Sequence, residues 1–142
     1  MINEVFHGDN LAIMRSLPPA SIDMIYIDPP YFTRQDFKRD GVGFSDKYKN
    51  LQTYIDFINL RLVEIKRLLK SSGTVFVHLD WRASHYVKCD MDKVFGYNNF
   101  VNEIIWCYGS VPHGNVANSF FPRKHDSIFL YSKTKKYNIE NK

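Results

Sequence analysis

The sequence predicts an α/β domain with a mostly parallel sheet and an antiparallel strand near the C-terminus. Short runs rich in β-branched and aromatic residues alternate with stretches whose apolar residues recur every three or four positions, which is typical of strands connected by helices. The last two predicted strands follow one another without a helix, so we expect them to pair antiparallel. The 142 residues fit one domain, placed at 1–132, with a polar tail at 133–142.

The first elements are short. Val5-Phe6 is a brief apolar piece, interpreted as a first strand. Asp9 or Asn10 can cap a helix at 11–17, since both residue types are strong N-caps. Residues 22–27 form an apolar run that predicts a buried strand.

The middle of the chain combines a long loop with the clearest helix. Residues 32–49 are polar, and loops of this length are usually functional lids or binding loops, or else disordered. Apolar residues at 51–69 repeat with helical spacing. Gly73 follows a pair of serines and is predicted to cap the C-terminus of this helix.

The second half continues the alternation. Residues 74–79 are rich in β-branched and aromatic residues and predict a buried strand. A helical face follows at 83–95, and two more strands are predicted at 100–108 and 126–131. The stretch between them, 109–122, reads as a second long loop.

Composition limits the classes of function. The net charge of +4 and the pI of about 9.0 fit a polyanionic partner, although the basic clusters are modest. Cys89 and Cys107 do not form a disulfide framework and are expected to be buried free thiols. With no signal peptide and no apolar run of about 18 residues, we expect a cytoplasmic location.

Asp28, Pro29, Pro30 and Tyr31 are the most informative residues. They follow the strand at 22–27, and ligands of open α/β sheets bind at the carboxyl ends of strands. An amino nitrogen on a nucleobase is a poor nucleophile because its lone pair is delocalised. The Asp28 carboxylate and the Pro29 carbonyl could accept hydrogen bonds from both of its N–H groups, Tyr31 could stack on the base, and a methyl sulfonium would be a sufficient electrophile.

The tetrapeptide resembles the catalytic motif of amino-group DNA methyltransferases that use S-adenosylmethionine, in the N4/N6 subgroup whose catalytic motif comes first. The resemblance implies a Rossmann-like methyltransferase sheet, incomplete here, and a partial catalytic domain corresponding to the N-terminal part of the family. It is carried by the tetrapeptide and by flanking segments in the family's order, at residues 7–11, 21–27, 73–80, 102–106 and 124–133.

The resemblance also implies roles for individual residues. Asp28, Pro29, Pro30 and Tyr31 would form the catalytic site, with Tyr31 stacking on a base extruded from duplex DNA. Phe32, the next ring in the chain, is a second candidate for this stacking. Asp28 and Asp9 would contact S-adenosylmethionine, although Asp9 is equally well interpreted as a helix N-cap alone. Aspartate at position 28 favours N6 of adenine as the target. Alternatively, the tetrapeptide forms only a rigid surface turn and has no part in a binding site.

The Gly-rich cofactor motif of that family is not found in this sequence. Gly41-Val42-Gly43 is a near match, but it neither follows a strand nor opens a helix. We therefore expect a truncated or split form that is inactive alone. A C-terminal segment or second chain would carry the cofactor motif and the target-recognition region, and its absence would leave an apolar sheet edge between the first strand and the strand at 22–27.

Other functions stay open at this point. The substrate could be N4 of cytosine or an amino group in RNA, or the chain could be a catalytically dead module that binds DNA or a partner. His78, Asp80 and His85 match no strong metal signature, so no metal site is predicted. A catalytic dyad of His125 and Asp126 is set aside, because neighbouring residues on a strand point to opposite faces.

Overall fold

The computed structural model describes residues 3–39, 42–108 and 123–137. In this part of the chain three α-helices, one 3₁₀ turn and six strands are formed. They are α1 (Asn10–Ser16), β1 (Ile22–Ile27), β2 (Asp36–Arg39), β3 (Val42–Ser45), α2 (Leu51–Leu68), β4 (Leu69–Leu79), α3 (Ser84–Phe95), the 3₁₀ turn (Tyr97–Asn99), β5 (Phe100–Cys107) and β6 (His125–Ser132).

Four of the described strands form one sheet in the order β1-β4-β6-β5. The α/β class is thereby confirmed, but the sheet is mixed: β1 and β4 pair parallel, whereas β4–β6 and β5–β6 pair antiparallel. The expected antiparallel pairing of the last two strands is present. Fewer strand pairs are parallel than predicted, because β6 lies between β5 and β4 and pairs antiparallel with both.

The helices cover one face of this sheet. The core cluster joins apolar side chains of α2 and α3 to alternate positions of β4 and β6, among them Val75, Val77, Phe129 and Tyr131. Side chains alternate across a strand, so the intervening positions face the other side. Tyr26 lies on that other side and remains half exposed.

Three expectations about the first half of the chain differ from the structure. Val5 and Phe6 form no strand and are 99% and 56% exposed, so the predicted first strand is wrong. The strand predicted at 22–27 is present as β1, but it lies at an edge of the sheet within the described residues and none of its residues is fully buried, so the expectation of a buried strand is wrong. The predicted loop 32–49 contains a hairpin, β2–β3, because its residues pair antiparallel from Asp36 with Ser45 to Arg39 with Val42.

Gly73 is not a helix cap. The helix α2 ends at Leu68, and β4 begins at once, with Gly73 inside it. A Cβ at Gly73 would lie 3.0 Å from the Leu69 side chain and 3.1 Å from the carbonyl oxygens of Ile22 and Asp23. The glycine therefore serves the close approach of β1 to β4, next to an irregularity in their register.

Both cysteines are free but exposed, against the expectation of burial. Cys89 lies on the outer side of α3, and Cys107 ends the edge strand β5. The predicted loop 109–122 lies outside the described residues.

The start of the predicted tail is attached to the sheet. The Lys133 backbone N–H donates to the Gly73 carbonyl at 2.9 Å, and the Thr134 hydroxyl donates to the Ser71 carbonyl at 2.7 Å. Residues 138–142 are not among those described. Across the described ranges, no helix has the length and hydropathy needed to span a membrane.

Candidate functional site

The tip that follows β1 carries the predicted tetrapeptide. Asp28 comes directly after the last strand residue, and its side chain is 59% exposed. The Tyr31 hydroxyl donates a hydrogen bond to its carboxylate. Burial, followed by this bond to Asp28, raises the pKa of Tyr31, so the hydroxyl stays protonated. The Pro30 carbonyl accepts a hydrogen bond from the buried Tyr54 hydroxyl at 2.7 Å, which ties the tip to α2.

Two cavities meet at this tip. The first has a volume of about 270 Å³ and the second about 360 Å³. Asp28 and Pro29 line both, so the carboxylate and the first proline form a shared wall. Ligands bound in the two cavities would therefore lie on either side of the same polar group.

Arg61 organises the far end of the first cavity. Its guanidinium is only 8% exposed and lies over the Phe57 ring, 3.4 Å from the ring centre. It donates to Asp9 and to Asn10, both at 2.8 Å, and to the Phe57 carbonyl at 2.9 Å. A buried cation thus fixes two polar side chains at the start of α1, beside the cavity that also contains Asp28.

Asp9 is the N-cap of α1, as one interpretation of the sequence predicted. Its carboxylate accepts from the Leu11 backbone N–H at 3.0 Å. That bond lowers the pKa of Asp9 against the opposing effect of burial, and the charge of Arg61 and its hydrogen bond add to the lowering. Because the side chain is 60% exposed, it keeps acceptor capacity for another ligand.

The second cavity lies between the tip and the β2–β3 hairpin. Its walls are Asp28, Pro29, Tyr31, Thr33, Phe37, Phe44 and Asp46. Three of these seven side chains are aromatic, and the carboxylate of Asp28 stands at the edge of the space they enclose. Sequence patterns did not point to the two phenylalanines, because the hairpin lies in a segment that reads as a loop.

Phe32 does not face this cavity. Its ring is 8% exposed and packs in the core, with ring centres 5.4 Å from Tyr54 and 6.4 Å from Tyr48. The residue has a φ of 60°, and this left-handed conformation turns the chain inward after Tyr31. The burial argues against Phe32 as the second candidate for stacking on the base.

His78 lies beneath the tip between two carboxylates. Its Nε2 is 3.2 Å from Asp126, and its Nδ1 is 3.8 Å from Asp28 and 2.9 Å from the Tyr26 hydroxyl. A carboxylate oxygen only accepts, so the bond to Asp126 places a proton on Nε2. Burial, together with the charges of Asp28 and Asp126, raises the pKa of Tyr26, and its protonated hydroxyl can donate to Nδ1 of the neutral ring.

Sequence reasoning missed this cluster. His78 is opposite Ile128 in the β4–β6 register, and Asp126 is two residues away on the same face. Asp126 does not pair with its neighbour His125, the dyad considered from the sequence, but with His78 on the adjacent strand β4. The signal that would have found it is the strand pairing, which the sequence does not specify.

Asp80 follows β4 at the same end of the sheet as Asp28, and its side chain is buried. Burial raises the pKa of its carboxyl, and bonds from the Arg82 backbone N–H and side chain oppose this effect. Among the described residues, no group of three or more His, Cys, Asp or Glu side chains is arranged to hold a metal ion.

Comparisons with known proteins find similarity over most of the chain. A family model described as DNA methylase matches residues 22–142. The type II methyltransferase M.EcaI of Enterobacter cloacae is 34% identical, with 94% of this chain and 29% of that protein covered. M.HinfI of Haemophilus influenzae is 30% identical, with 95% and 39% covered. The chain thus spans about a third of the length of these curated relatives.

Solved structures share the fold. TTHA0409 of Thermus thermophilus, described as a DNA modification methylase and complexed with S-adenosyl-L-methionine, aligns with a TM-score of 0.68 at 18% identity, covering 94% of this chain and 54% of that chain. The cytosine-N4-specific PvuII DNA methyltransferase aligns with a TM-score of 0.66 at 19% identity, covering 92% and 48%. At these identities the likeness concerns the fold alone.

Proposed function

Because this chain belongs to the N6/N4 DNA methylase family, we propose that residues 1–132 form the target-base half of an S-adenosylmethionine-dependent DNA methyltransferase, with N6 of adenine as the favoured acceptor. One observation carries this proposal: two cavities share Asp28 and Pro29 as a common wall. A methyl transfer needs a donor and an acceptor that meet at one point. The tip after β1 offers such a point.

Asp28, Pro29, Pro30 and Tyr31 act on the acceptor. The exposed Asp28 carboxylate accepts one N–H of the exocyclic amine, and the Pro29 carbonyl accepts the other. Both prolines have a fixed φ, and Tyr54 holds the Pro30 carbonyl, so these acceptors are preorganised. The nitrogen lone pair is drawn out of the ring and becomes nucleophilic.

Tyr31 combines two functions in this proposal. Its ring lines the second cavity and stacks on the extruded base. Its hydroxyl donates to Asp28 and fixes the rotamer of that side chain. Asp28 is also the nearest acceptor for the proton that the amine loses after alkylation.

In this proposal the first cavity forms one part of the cofactor site. S-Adenosylmethionine supplies a methyl group on a sulfonium, which is electrophilic enough to need no covalent enzyme intermediate. Asn10 lines this cavity, and the neighbouring Asp9 offers an exposed acceptor for the polar groups of an adenosine. Phe57 also lines the cavity, with Arg61 over its ring, and Asp28 carries negative charge at the other end. The volume of about 270 Å³ lies just below the usual range of ligand pockets, roughly 300–1,000 Å³.

A further segment completes the cofactor site in this proposal. The relatives are about three times as long as this chain, and the sequence lacks the Gly-rich motif that the resemblance leads us to expect. We therefore propose that a segment or chain carrying that motif, together with a target-recognition region, is needed for turnover on duplex DNA.

The test is modification of cellular DNA. The gene, expressed with its downstream coding sequence in a bacterial host without its own adenine or cytosine amino methylation, is expected to yield N6-methyladenine in digested genomic DNA. Asp28→Ala should abolish the product. Asp23→Ala is the matched control, since this carboxylate lies on β1, is 76% exposed and pairs only with Lys70 among the described residues. Absence of any methylated base from the native protein would contradict the proposal.

N4-methylcytosine in the same digest would instead support the second candidate function, an N4-cytosine methyltransferase. The cytosine-N4-specific PvuII enzyme shares this fold, so N4 of cytosine is retained as the second candidate acceptor. The aspartate at position 28 favours adenine, on the family resemblance. Nucleoside mass spectrometry separates the two products directly.

Cofactor binding distinguishes an enzyme from an inert binding module, because both would bind DNA. Phosphate contacts dominate affinity for DNA, so Asp28→Ala should leave the dissociation constant and its salt dependence nearly unchanged. Calorimetric titration with S-adenosylmethionine gives the second readout. DNA binding without any cofactor binding, in the presence of the downstream segment, would favour the module.

A further inference from the structure

We propose that the β2–β3 hairpin forms the second wall of the base site, with Phe37 and Phe44 stacking on the nucleobase across from Tyr31. This inference rests on the proposed function and extends it to residues outside the tetrapeptide. The one-sided stacking attributed to Tyr31 becomes an aromatic clamp, with the Asp28 carboxylate at its edge.

The two phenylalanines form an exposed pair. Their rings are stacked, with centres 5.1 Å apart and planes at 22°. Phe37 is 40% exposed and Phe44 57% exposed, and neither belongs to the core cluster. Large aromatic side chains gain little by standing in water, so an exposed pair beside a cavity indicates a ligand surface. Both rings line the cavity that contains Asp28 and Tyr31.

The hairpin is held against the tip by Asp46. This carboxylate is 1% exposed and accepts hydrogen bonds from the backbone N–H groups of Phe32 at 2.9 Å and Thr33 at 2.6 Å. Its backbone also bonds to Arg34 and Gln35, on the segment that enters the hairpin. The base of the hairpin and the end of the tetrapeptide therefore move as one unit, and the walls of the cavity are preorganised.

The hairpin itself is closely wound. A Cβ at Gly43 would collide with the Phe37 carbonyl oxygen, so the close pairing of these two strands requires glycine at this position. Asp36 accepts from the Ser45 hydroxyl at 2.8 Å and from the Lys47 ammonium, and these bonds close the open end of the hairpin. The phenylalanine pair is thus presented on a fixed scaffold.

The side chains that line the second cavity determine which kind of ligand fits it. Three aromatic rings suit a flat ligand, and an exposed carboxylate at the edge suits one that carries N–H donors in its plane. Arg34 and Lys38 place exposed positive charge at the hairpin, which suits a ligand attached to phosphates. A nucleobase with an exocyclic amino group meets all three conditions.

The experiment measures nucleoside binding to the 142-residue chain by saturation-transfer difference NMR and chemical-shift titration. Deoxyadenosine is expected to bind more tightly than thymidine, which has no exocyclic amine. A Phe37→Ala, Phe44→Ala double variant should weaken deoxyadenosine binding about five-fold or more, given the strength of base–aromatic stacking. Phe44→Tyr should retain binding, whereas Phe44→Leu should not.

The control is Tyr97→Ala, which removes a 74% exposed ring on the 3₁₀ turn and should change nothing. Circular dichroism verifies that each variant is folded. Unchanged binding in the double variant, combined with loss in Tyr31→Ala, would overturn the clamp and leave the proposed function intact. A native chain that binds no nucleoside would also overturn the clamp, while DNA methylation in the cellular assay would still report on the proposed function separately.

Discussion

Tyr54 donates a hydrogen bond from its hydroxyl to the carbonyl oxygen of Pro30 at 2.7 Å. Tyr54 is fully buried near the start of α2, and Pro30 lies in the tip after β1. A core residue thereby sets the orientation of a site residue 24 positions earlier in the chain. The ring of Tyr54 also packs on Phe32 and Tyr48, so this contact unites the tip with the aromatic part of the core.

Tyr54→Phe removes this bond and leaves the Pro30 carbonyl without its partner. We expect the free energy of unfolding to fall by about 1 kcal/mol, the usual net value of one hydrogen bond. Urea denaturation followed by circular dichroism measures it. Tyr48→Phe is the control, since no hydrogen bond of the Tyr48 hydroxyl is found in the described part of the chain. An equal loss in both variants would argue against a specific link.

Asp46→Ala should be more damaging. It removes the acceptor for two backbone N–H groups, those of Phe32 and Thr33, and for the Thr33 hydroxyl. Unsatisfied buried donors and lost bonds to a charged acceptor predict a loss of about 3 kcal/mol. Asp46→Asn, which keeps one acceptor oxygen, should lose less. Chemical denaturation ranks the two variants, and the reverse order would contradict the anchoring role.

Gly73→Ala tests the close approach of β1 and β4. The added methyl would meet the Leu69 side chain at 3.0 Å and two β1 carbonyls at 3.1 Å. Since carbonyls of a paired strand yield little, we expect a destabilisation of about 1–3 kcal/mol. Ser72→Ala, at the exposed neighbouring position, should have little effect. Thermal unfolding of the two variants gives the comparison, and equal midpoints would refute the steric interpretation.

Asp92 makes stability depend on pH. Partial burial alone would raise the pKa of its carboxyl, but hydrogen bonds from Tyr131 and Lys88 outweigh burial and hold the pKa below its ordinary value. The stabilisation is therefore present above the pKa of the unfolded chain, about 3.9, and is lost as the pH falls through the lower folded value. Asp92→Asn should lower the free energy of unfolding by about 1–3 kcal/mol at roughly neutral pH.

The difference between this variant and the native chain should shrink as the pH falls from about 7 to about 3, because native Asp92 then begins to lose the charge that the Asn side chain never carries. Urea titrations at about pH 7 and about pH 3 compare the two proteins. Lys88→Met removes one partner of Asp92 and should reproduce part of the effect. A difference that persists unchanged in acid would exclude the charge of Asp92 as its source.

The sequence predicts what local patterns determine. The helices α2 and α3, the strands β1 and β4, and the N-cap at Asp9 follow from apolar periodicity and capping preference, and all are present. The position of Asp28 at a strand tip follows from the same patterns. Each of these features depends on residues close together in the chain.

Features that depend on contacts between residues far apart in the chain are not predicted by local sequence patterns. The hairpin β2–β3 carries few apolar residues, so the pairing between its strands rather than hydrophobic periodicity defines it. Gly73 reads as a helix cap by composition, whereas its environment is set by β1. The contact between His78 and Asp126 requires knowing that β6 lies beside β4. In each case strand pairing decides, and pairing is a property of the assembled sheet.

The strand that leads to Asp28, β1, has a hydrogen-bonded neighbour on one side only, within the residues described. Its free side is a template for another strand. Such an addition would stiffen both cavities at once, because both begin at the tip of this strand. If the proposed methyl transfer takes place at this tip, pairing of a further strand with β1 and activation would be one event, and activity would depend on the concentration of that strand.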